Sequence, residues 1–316
     1  MIKKVLAVLT VAALAVLGLA ACAPRPASTT FTVVATTTQV TEFVKTVVGN
    51  AGDVIGLLQP NQSAHSFDPS AAQMVALSQA DALVINGAGL EPWVGDLISA
   101  AGFTGTVIDA SAGINLVNDD PHVFTDPLQA RKMVASIASG LSSLALTSPK
   151  VTDPGASAAA MEARAAIYEQ KLTTLNQWAL ASFAQVPAAQ RLLVTNHDAF
   201  TYFVDAYGIT FIGSIIPSMD DNAEPSAAEI DRLVTEITSS GATAVFSEAS
   251  ISPKLAETIS TEAGVAVYSG EDALYSDSLG APGSAGETYI LATVHNVTVL
   301  LNSWGYQPLP LPKELG

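Results

Sequence analysis

Cysteine and positive charge are scarce in this chain. It has 1 cysteine in 316 residues, which excludes an internal disulfide. Lysine and arginine number 13 against 29 aspartates and glutamates, so the formal net charge is −16. A chain this acidic, with no run of basic residues after Lys4, cannot neutralise a phosphate backbone, and we expect no nucleic-acid partner.

Long apolar runs are also lacking, except at the N-terminus. Lys3 and Lys4 precede an uninterrupted apolar run over residues 5–21, which ends in small residues. This pattern is typical of an export signal, so residues 1–21 are predicted to be a signal peptide. The rest of the chain has no second charge-free run of that length, and the mature protein is therefore expected to be exported without spanning a membrane.

The single cysteine, Cys22, directly follows this apolar run. The string LAAC at 19–22 resembles the lipobox of bacterial lipoproteins, in which the cysteine is lipidated and becomes the new N-terminus. Lipidation would anchor the chain to the outer face of the cell membrane, with residues 22–30 as a tether. Ordinary signal cleavage is the alternative, because the tripeptide ACA at 21–23 also fits a small-x-small site.

Short apolar segments alternate with helical segments along the mature chain. Strands are predicted at 31–36, 54–58, 82–85 and 106–108, and again at 192–195, 210–213, 244–247 and 265–268. Between the two series, residues 154–184 are Ala-rich and have no glycine or proline after Gly155, which is typical of one long helix. The pattern predicts an α/β fold with two parallel-sheet lobes, 31–150 and 188–316, joined by a long connecting helix within 151–187.

Histidine is rare, with 4 residues, and 3 of them follow or end predicted strands. They are His65, His122 and His197, and a further loop of the same kind carries Asp272 and Asp277. Ligands of α/β proteins bind outside the carboxyl ends of the strands. Imidazole and carboxylate are ligands of divalent metals, and three nitrogens with one oxygen suit Zn²⁺, although the wide spacing alone is weak evidence.

Several strings resemble, in family order, those of the TroA-like zinc and manganese solute-binding proteins of ABC importers. The strings are AHSFDPS around His65, NGAGLEPWVGDL at 86–97, DPHVFTDP around His122, TNHDAFTYFVDAYGI around His197, SEASISPKLAETI at 247–259 and ALYSDSLG around Asp277. The resemblance covers nearly the whole mature chain. It implies a binding protein, not an enzyme, that passes a divalent metal ion to an ABC permease and its ATPase.

The resemblance also implies the metal ligands. By it, His65 and His122 come from the first lobe, and His197 and Asp277 come from the second. Manganese-type members tend to place a carboxylate at the third position, where this chain has His197. Zn²⁺ is therefore the expected cargo, in agreement with the order of divalent affinities, with Mn²⁺ as the runner-up and Fe²⁺ behind.

Two features depart from the family pattern. Ser63 and Ala64 stand where members often have Asp-Pro before the first histidine. The loop at 111–120 is short and lacks histidine, whereas many zinc importers carry a long His-rich loop there. A metallochaperone is therefore a candidate further partner, and Asp119 and Asp120 would attract cations to the site.

Several polar residues near these strings have alternative interpretations. Asn196 and Asp198 flank a candidate ligand and could contact its ring, and Asp198 could equally cap a helix at 199–207. Asp126 has the same two interpretations, and capping of the helix that follows it is favoured. His295 lies among apolar residues of the last predicted helix, 285–303, and is predicted to be a packing or surface residue and not a ligand.

Glu248 has a different role in each of the two competing functions, metal binding and zinc-dependent hydrolysis. It ends a predicted strand and could contact a ligand, act as an alternative ligand or serve as the base of a zinc hydrolase. A hydrolase would need an open coordination position, and the chain has no HExxH motif, so metal binding without catalysis is favoured. The protein could also act as a surface adhesin, but the sequence offers no evidence for that role.

Overall fold

The computed structural model describes residues 29–316. The predicted signal peptide, Cys22 and most of the predicted tether lie outside these residues, so they stay predictions. Within the described range, every helix is too short or too polar to cross a bilayer.

Four short parallel strands form the sheet of the first lobe in the order β2-β1-β3-β4. They are β1 (Thr32–Ala35), β2 (Asp53–Gly56), β3 (Ala82–Ile85) and β4 (Thr106–Asp109), and the helices between them are α1 (Thr38–Val48), α2 (Ala71–Ser78) and α3 (Val94–Ala101). Val33 of the central β1 pairs with Val54 on one side and Ala82 on the other. Because all pairs are parallel, the carboxyl ends of the four strands meet at one edge.

The second lobe has two parallel strand pairs. The first pair is β5 (Leu192–His197) with β6 (Thr210–Ile216), and the second is β7 (Ala244–Phe246) with β8 (Ala266–Tyr268). Its helices are α6 (Thr201–Tyr207), α7 (Ala227–Ser240), α8 (Lys254–Ala263) and α9 (Tyr289–Ser303). β5 lies beside β7, and a buried apolar cluster that includes Val194, Ile215 and Val245 packs these strands together. The predicted parallel α/β architecture is confirmed.

A long helix connects the lobes, as predicted. The two helices concerned are α4 (Pro127–Thr147) and the connecting helix α5 (Pro154–Phe183), whose 30 residues span about 45 Å. Asp126 caps α4 by accepting from the Leu128 N–H at 2.8 Å, which confirms that prediction. α5 packs against α4, and also against α1 of the first lobe and α9 of the second. The residue boundaries drawn for the lobes stay predictions.

One buried core runs through both lobes. It contains Phe43 of α1, Met133 of α4, Leu175 of α5 and Leu300 of α9, all fully buried. Burying a side chain of this size stabilises the fold by about 1.5–3 kcal/mol, so separating the lobes along this core would be costly. Movement is therefore expected in the loops at the cleft and not between the lobes as whole bodies.

Two helix starts differ from the sequence expectation. α6 begins at Thr201 after Phe200, so Asp198 is not its cap. The Asp198 N–H donates to the Ser218 carbonyl at 3.0 Å, and the chain bends at Asp198 before the helix begins. α9 begins at Tyr289 instead of 285. The side chain of Thr288 accepts from the Leu291 N–H at 3.2 Å and fixes that start.

Candidate metal site

Three histidines and one aspartate from four separate loops and strand ends meet between the lobes. His65, His122, His197 and Asp277 each offer one ligand atom, and these atoms lie within 4.8 Å of one another. Asp277 Oδ2 lies 3.3 Å from His65 Nε2 and 3.2 Å from His197 Nε2. Asp277 Oδ1 lies 3.2 Å from His122 Nε2, which is itself 3.2 Å from His65 Nε2. The structure thus brings together all four residues predicted as ligands.

The cluster leaves buried polar atoms without partners. Nε2 of His197 and both carboxylate oxygens of Asp277 have no hydrogen bond, although they are inaccessible to solvent. Such atoms destabilise a fold unless another group compensates them. Four ligands at 2.0–2.1 Å from a tetrahedral zinc ion are about 3.3 Å from one another, and each imidazole Nε2 lies 3.2–3.3 Å from an Asp277 oxygen. The residues therefore fit a divalent cation at their centre.

Strand ends and short loops place the four side chains. His197 is the last residue of β5, and His65 lies in the loop after β2. His122 directly precedes a short 3₁₀ helix, Val123–Thr125, that leads into α4. Asp277 lies in the loop between β8 and α9. This is the carboxyl edge of the parallel sheets, where α/β proteins bind their ligands.

Two of the imidazoles are held from behind by a carboxylate. Asp120 Oδ1 lies 2.7 Å from His122 Nδ1 and accepts from the His122 N–H at 2.8 Å. Glu248 Oε2 lies 2.8 Å from His197 Nδ1, and Glu248 Oε1 accepts from the His197 N–H at 2.9 Å. The Ser276 hydroxyl donates to the same Glu248 carboxylate. These contacts orient each ring with Nε2 toward the cluster and increase its basicity toward a metal.

The partners of His197 differ from those predicted. Asn196 Oδ1 is buried without a hydrogen bond, and neither Asn196 nor Asp198 holds the ring, so that prediction is wrong. Glu248 takes the position because β7, which ends at Phe246, lies beside β5. Glu248 thus contacts His197, a predicted ligand, as one of its alternatives expected. From the sequence, Asp120 is expected only to attract cations. Its place two residues before His122 also suits a carboxylate that accepts from the His122 backbone N–H.

His65 is held differently from the other two histidines. It is 9% exposed, whereas His122 and His197 are 0% exposed. Within residues 29–316, no carboxylate contacts Nδ1 of His65. Its loop is fixed through the backbone, because Trp93 Nε1 donates to the Ala64 carbonyl at 2.9 Å and Ser63 Oγ accepts from the His65 N–H at 3.1 Å.

The segment after β3 supports both first-lobe histidines, a role that the sequence did not reveal. It contributes Trp93, described above, and Asn86, whose side chain donates to the Pro121 carbonyl at 3.1 Å beside His122. Glu91 is buried and accepts from the backbone N–H groups of Asn86 and Gly87 at 2.7 and 3.1 Å. Burial raises the pKa of Glu91 despite these hydrogen bonds.

The charges of the cluster are strongly coupled. Burial lowers the pKa of His122, but the charge of Asp277 and the hydrogen bond with Asp120 outweigh it and raise the pKa to about 9. Burial likewise lowers the pKa of His197, yet the charges of Glu248 and Asp277 raise it well above its usual value. Burial raises the pKa of Asp277, but the His197 and His122 charges bring it well below its usual value. In the metal-free protein an ionised Asp277 therefore faces protonated imidazole, and an arriving cation replaces protons.

Two other candidate residues lie outside the cluster. His295 Nε2 lies 2.9 Å from the Ala273 carbonyl, and its ring packs edge-on against Tyr275 at 5.1 Å, which confirms the predicted packing role. Asp272 belongs to the short 3₁₀ helix Gly270–Asp272 and does not join the four ligand atoms.

A buried three-histidine, one-aspartate cluster between two parallel α/β lobes defines a two-lobed, metal-binding solute-binding protein. Residues 33–303 match the family described as "Zinc-uptake complex component A periplasmic", ZnuA. The chain belongs to this family. The family is described by its part in zinc uptake, and the relatives below are named as metal-binding proteins, which agrees with the prediction of a binding protein and not an enzyme.

Individual relatives agree on the family and differ in the metal they are named for. The chain is 28% identical over 267 residues to the manganese-binding lipoprotein MntA of Halalkalibacterium halodurans, covering 83% of this chain and 84% of MntA. It is 29% identical over 315 residues to the zinc-binding lipoprotein AdcA of Streptococcus pneumoniae, covering 92% of this chain but only 60% of the length of AdcA. The structure of the periplasmic zinc-binding protein TroA of Treponema pallidum is similar with a TM-score of 0.77 and 26% identity, covering 87% of this chain and 99% of that one.

Proposed function

We propose that this protein captures Zn²⁺ outside the cytoplasm and delivers it to an ABC permease driven by its ATPase. His65, His122, His197 and Asp277 are the proposed ligands. The observation that carries the proposal is the approach of three imidazole nitrogens and a carboxylate to 3.2–3.3 Å, with buried atoms left unpaired. A cation at the centre gives His197 Nε2 and an Asp277 oxygen the partner that they lack.

The donor set supports zinc over manganese. Three imidazoles and one carboxylate suit four-coordinate Zn²⁺, whereas Mn²⁺ prefers more oxygen ligands in an octahedral shell. The two nearby carboxylates, Asp120 and Glu248, lie behind the imidazoles at Nδ1 and so do not supply those oxygens. Manganese is the alternative cargo, and one relative is named for binding it.

The same geometry supports a binding role over hydrolysis. A zinc hydrolase needs an open coordination position and a base beside it. Glu248, the base candidate of the sequence, contacts His197 Nδ1 and the Ser276 hydroxyl and points away from the cluster. A closed shell of this kind holds a cargo ion without activating water.

Attachment to the outer face of the cell membrane through a lipidated Cys22 is part of the proposal. The position of Cys22 directly after the apolar run supports it, as do the lipoprotein names of two relatives. A metallochaperone that loads the site is a further proposed partner, because the 111–120 loop offers no histidine.

Thermal unfolding of the metal-stripped protein tests the proposal. Zn²⁺ or Mn²⁺ is added at matched free concentrations, and a ligand at 100 times its Kd stabilises the native state by about 2.7 kcal/mol. We expect a large stabilisation by Zn²⁺ and a small one by Mn²⁺. The reverse order would assign manganese as the cargo, and no shift with either metal would overturn the site.

A further inference from the structure

The loop at 59–65 crosses the opening between the lobes beside the metal site. The Asn61 N–H donates to Ser278 Oγ of the second lobe at 2.7 Å. Two residues further on, Ser63 Oγ donates to Asp221 Oδ1 of the loop after β6 at 2.8 Å. The loop is thus hydrogen-bonded to the second lobe at two points. One is at Ser278, next to Asp277 in the chain, and the other is at Asp221.

The Ser63 hydroxyl joins the second lobe to a proposed ligand. It donates to Asp221 and at the same time accepts from the His65 N–H at 3.1 Å. His65 has no carboxylate behind its ring in the described part of the chain, so its position depends on its loop. Ser63 therefore links the placement of the His65 imidazole to contact between the lobes.

His65 also marks the side by which a bound ion reaches solvent. It is 9% exposed, whereas His122 and His197 are 0% and Asp277 is 1% exposed. An ion leaving the cluster must therefore pass the His65 side, which is where the loop and Asp221 meet. A contact at this place acts on the rate of departure more than on the coordination itself.

We propose that the Ser63–Asp221 hydrogen bond is a closure contact that holds His65 over the bound metal and slows metal dissociation. Ser63 and Asp221 are positioning residues and not ligands. The proposal rests on the proposed function, since it concerns release from that site. A hydroxyl is suited to position 63 because it can both donate to the Asp221 carboxylate and accept from the His65 backbone.

Zinc dissociation, followed by rapid mixing of the zinc-loaded protein with a chromogenic chelator, tests the proposal. We expect Ser63→Ala and Asp221→Ala each to raise the dissociation rate constant about tenfold, the effect of losing one charge-assisted hydrogen bond at a half-buried site. The double variant should be no faster than Ser63→Ala, because Ser63→Ala already removes the Ser63–Asp221 contact together with the acceptor of the His65 N–H. Ser63→Thr keeps the hydroxyl and should restore a rate within about threefold of the parent.

Matched controls separate the contact from charge and folding. Asp231→Asn removes an exposed charge from α7, the helix that follows the same loop, and its dissociation rate should stay within twofold of the parent. Unfolding temperatures of the metal-free variants should match that of the parent protein. Unchanged rates in Ser63→Ala and Asp221→Ala, or additive effects in the double variant, would overturn the closure contact while leaving zinc binding intact. Failure of the parent protein to bind zinc would instead overturn the proposed function.

Discussion

The histidines of the site are held in two different ways. His122 and His197 are fully buried, and each has a carboxylate oxygen 2.7–2.8 Å from its Nδ1. The same carboxylate also accepts a hydrogen bond from the backbone N–H of that histidine. His65 is partly exposed and is held by hydrogen bonds to its loop backbone. The site therefore combines two imidazoles held by carboxylates, its preorganised half, with one proposed ligand, His65, whose position follows a loop.

This difference suits a protein that must bind a metal tightly and later release it. Fixed imidazoles keep most of the coordination geometry in place before the ion arrives, which lowers the ordering cost of binding. A ligand that moves with its loop gives the ion a way out without disturbing the core shared by the lobes. The predictions below test this contrast.

The largest effect is expected from removing a fixed ligand. His197→Ala should lower zinc affinity by more than about 100-fold, because it removes a ligand and leaves Glu248 and Asp277 buried without their partner. His65→Ala should cost less, since water can replace an exposed ligand. Competition titration with a chelator measures both. His295→Ala is the control, because His295 lies outside the cluster. If His197→Ala kept its zinc affinity within threefold of the parent, His197 would not be a ligand.

The pH dependence tests the charge of the preorganised half. The pKa of His122 is raised to about 9 in the metal-free protein, so its ring carries a proton below that pH and zinc must displace it. Affinity should rise about tenfold per pH unit for each proton released, or about 100-fold between pH 6 and 8 for one proton, and level off above pH 9. Zinc titrations at several pH values measure this. An affinity that is flat above pH 6.5, as for an ordinary imidazole, would contradict the raised pKa.

Changing the carboxylates behind the fixed rings should have a smaller effect. Glu248→Gln and Asp120→Asn keep the side-chain shape but remove the charge that orients and strengthens the imidazoles. Each should lower zinc affinity by about 10- to 100-fold. Glu42→Gln is the control, because Glu42 is a buried carboxylate that binds Tyr168 and the Tyr289 N–H away from the site. Equal affinities in all three variants would show that the fixed rings need no carboxylate.

The smallest effect is expected at the support of the His65 loop. Trp93→Phe keeps an aromatic ring against Phe67 but loses the donor to the Ala64 carbonyl. Loss of one neutral hydrogen bond should weaken zinc binding about threefold, mainly through faster dissociation. Trp178→Phe loses an equivalent bond to the Leu309 carbonyl, far from the site, and serves as the control. An effect as large as that of Glu248→Gln would erase the distinction between the fixed and loop-held ligands.

Much of the fold could be predicted because local sequence patterns determine where its strands and helices form. The strand at Ala82–Ile85 and the long helix from Pro154 follow from apolar runs, proline and the lack of internal glycine. The position of His197 at the end of β5 also follows from the chain, since an apolar run ends there. The places of His65, His122 and His197 after predicted strands make them candidates, and the resemblance adds Asp277 in preference to Asp272. The roles of all four as ligands stay predictions.

The supporting residues were harder to predict because they depend on tertiary contacts. Glu248 meets His197 only because β7 lies beside β5, which no local pattern reveals. Asp198 has the side chain of a helix cap, but its N–H bonds to the Ser218 carbonyl, the chain bends there, and α6 begins only at Thr201. Trp93 and Asn86 act through backbone carbonyls of other loops, and such contacts leave no mark on residue spacing.

The central claim is that His65, His122, His197 and Asp277 together bind zinc. The most direct test is anomalous diffraction at the zinc edge from crystals of the zinc-loaded protein. The account predicts one strong peak at about 2.0–2.2 Å from three imidazole Nε2 atoms and an Asp277 oxygen. A peak elsewhere, or a zinc ion bound at this place without His197 or Asp277, would contradict it.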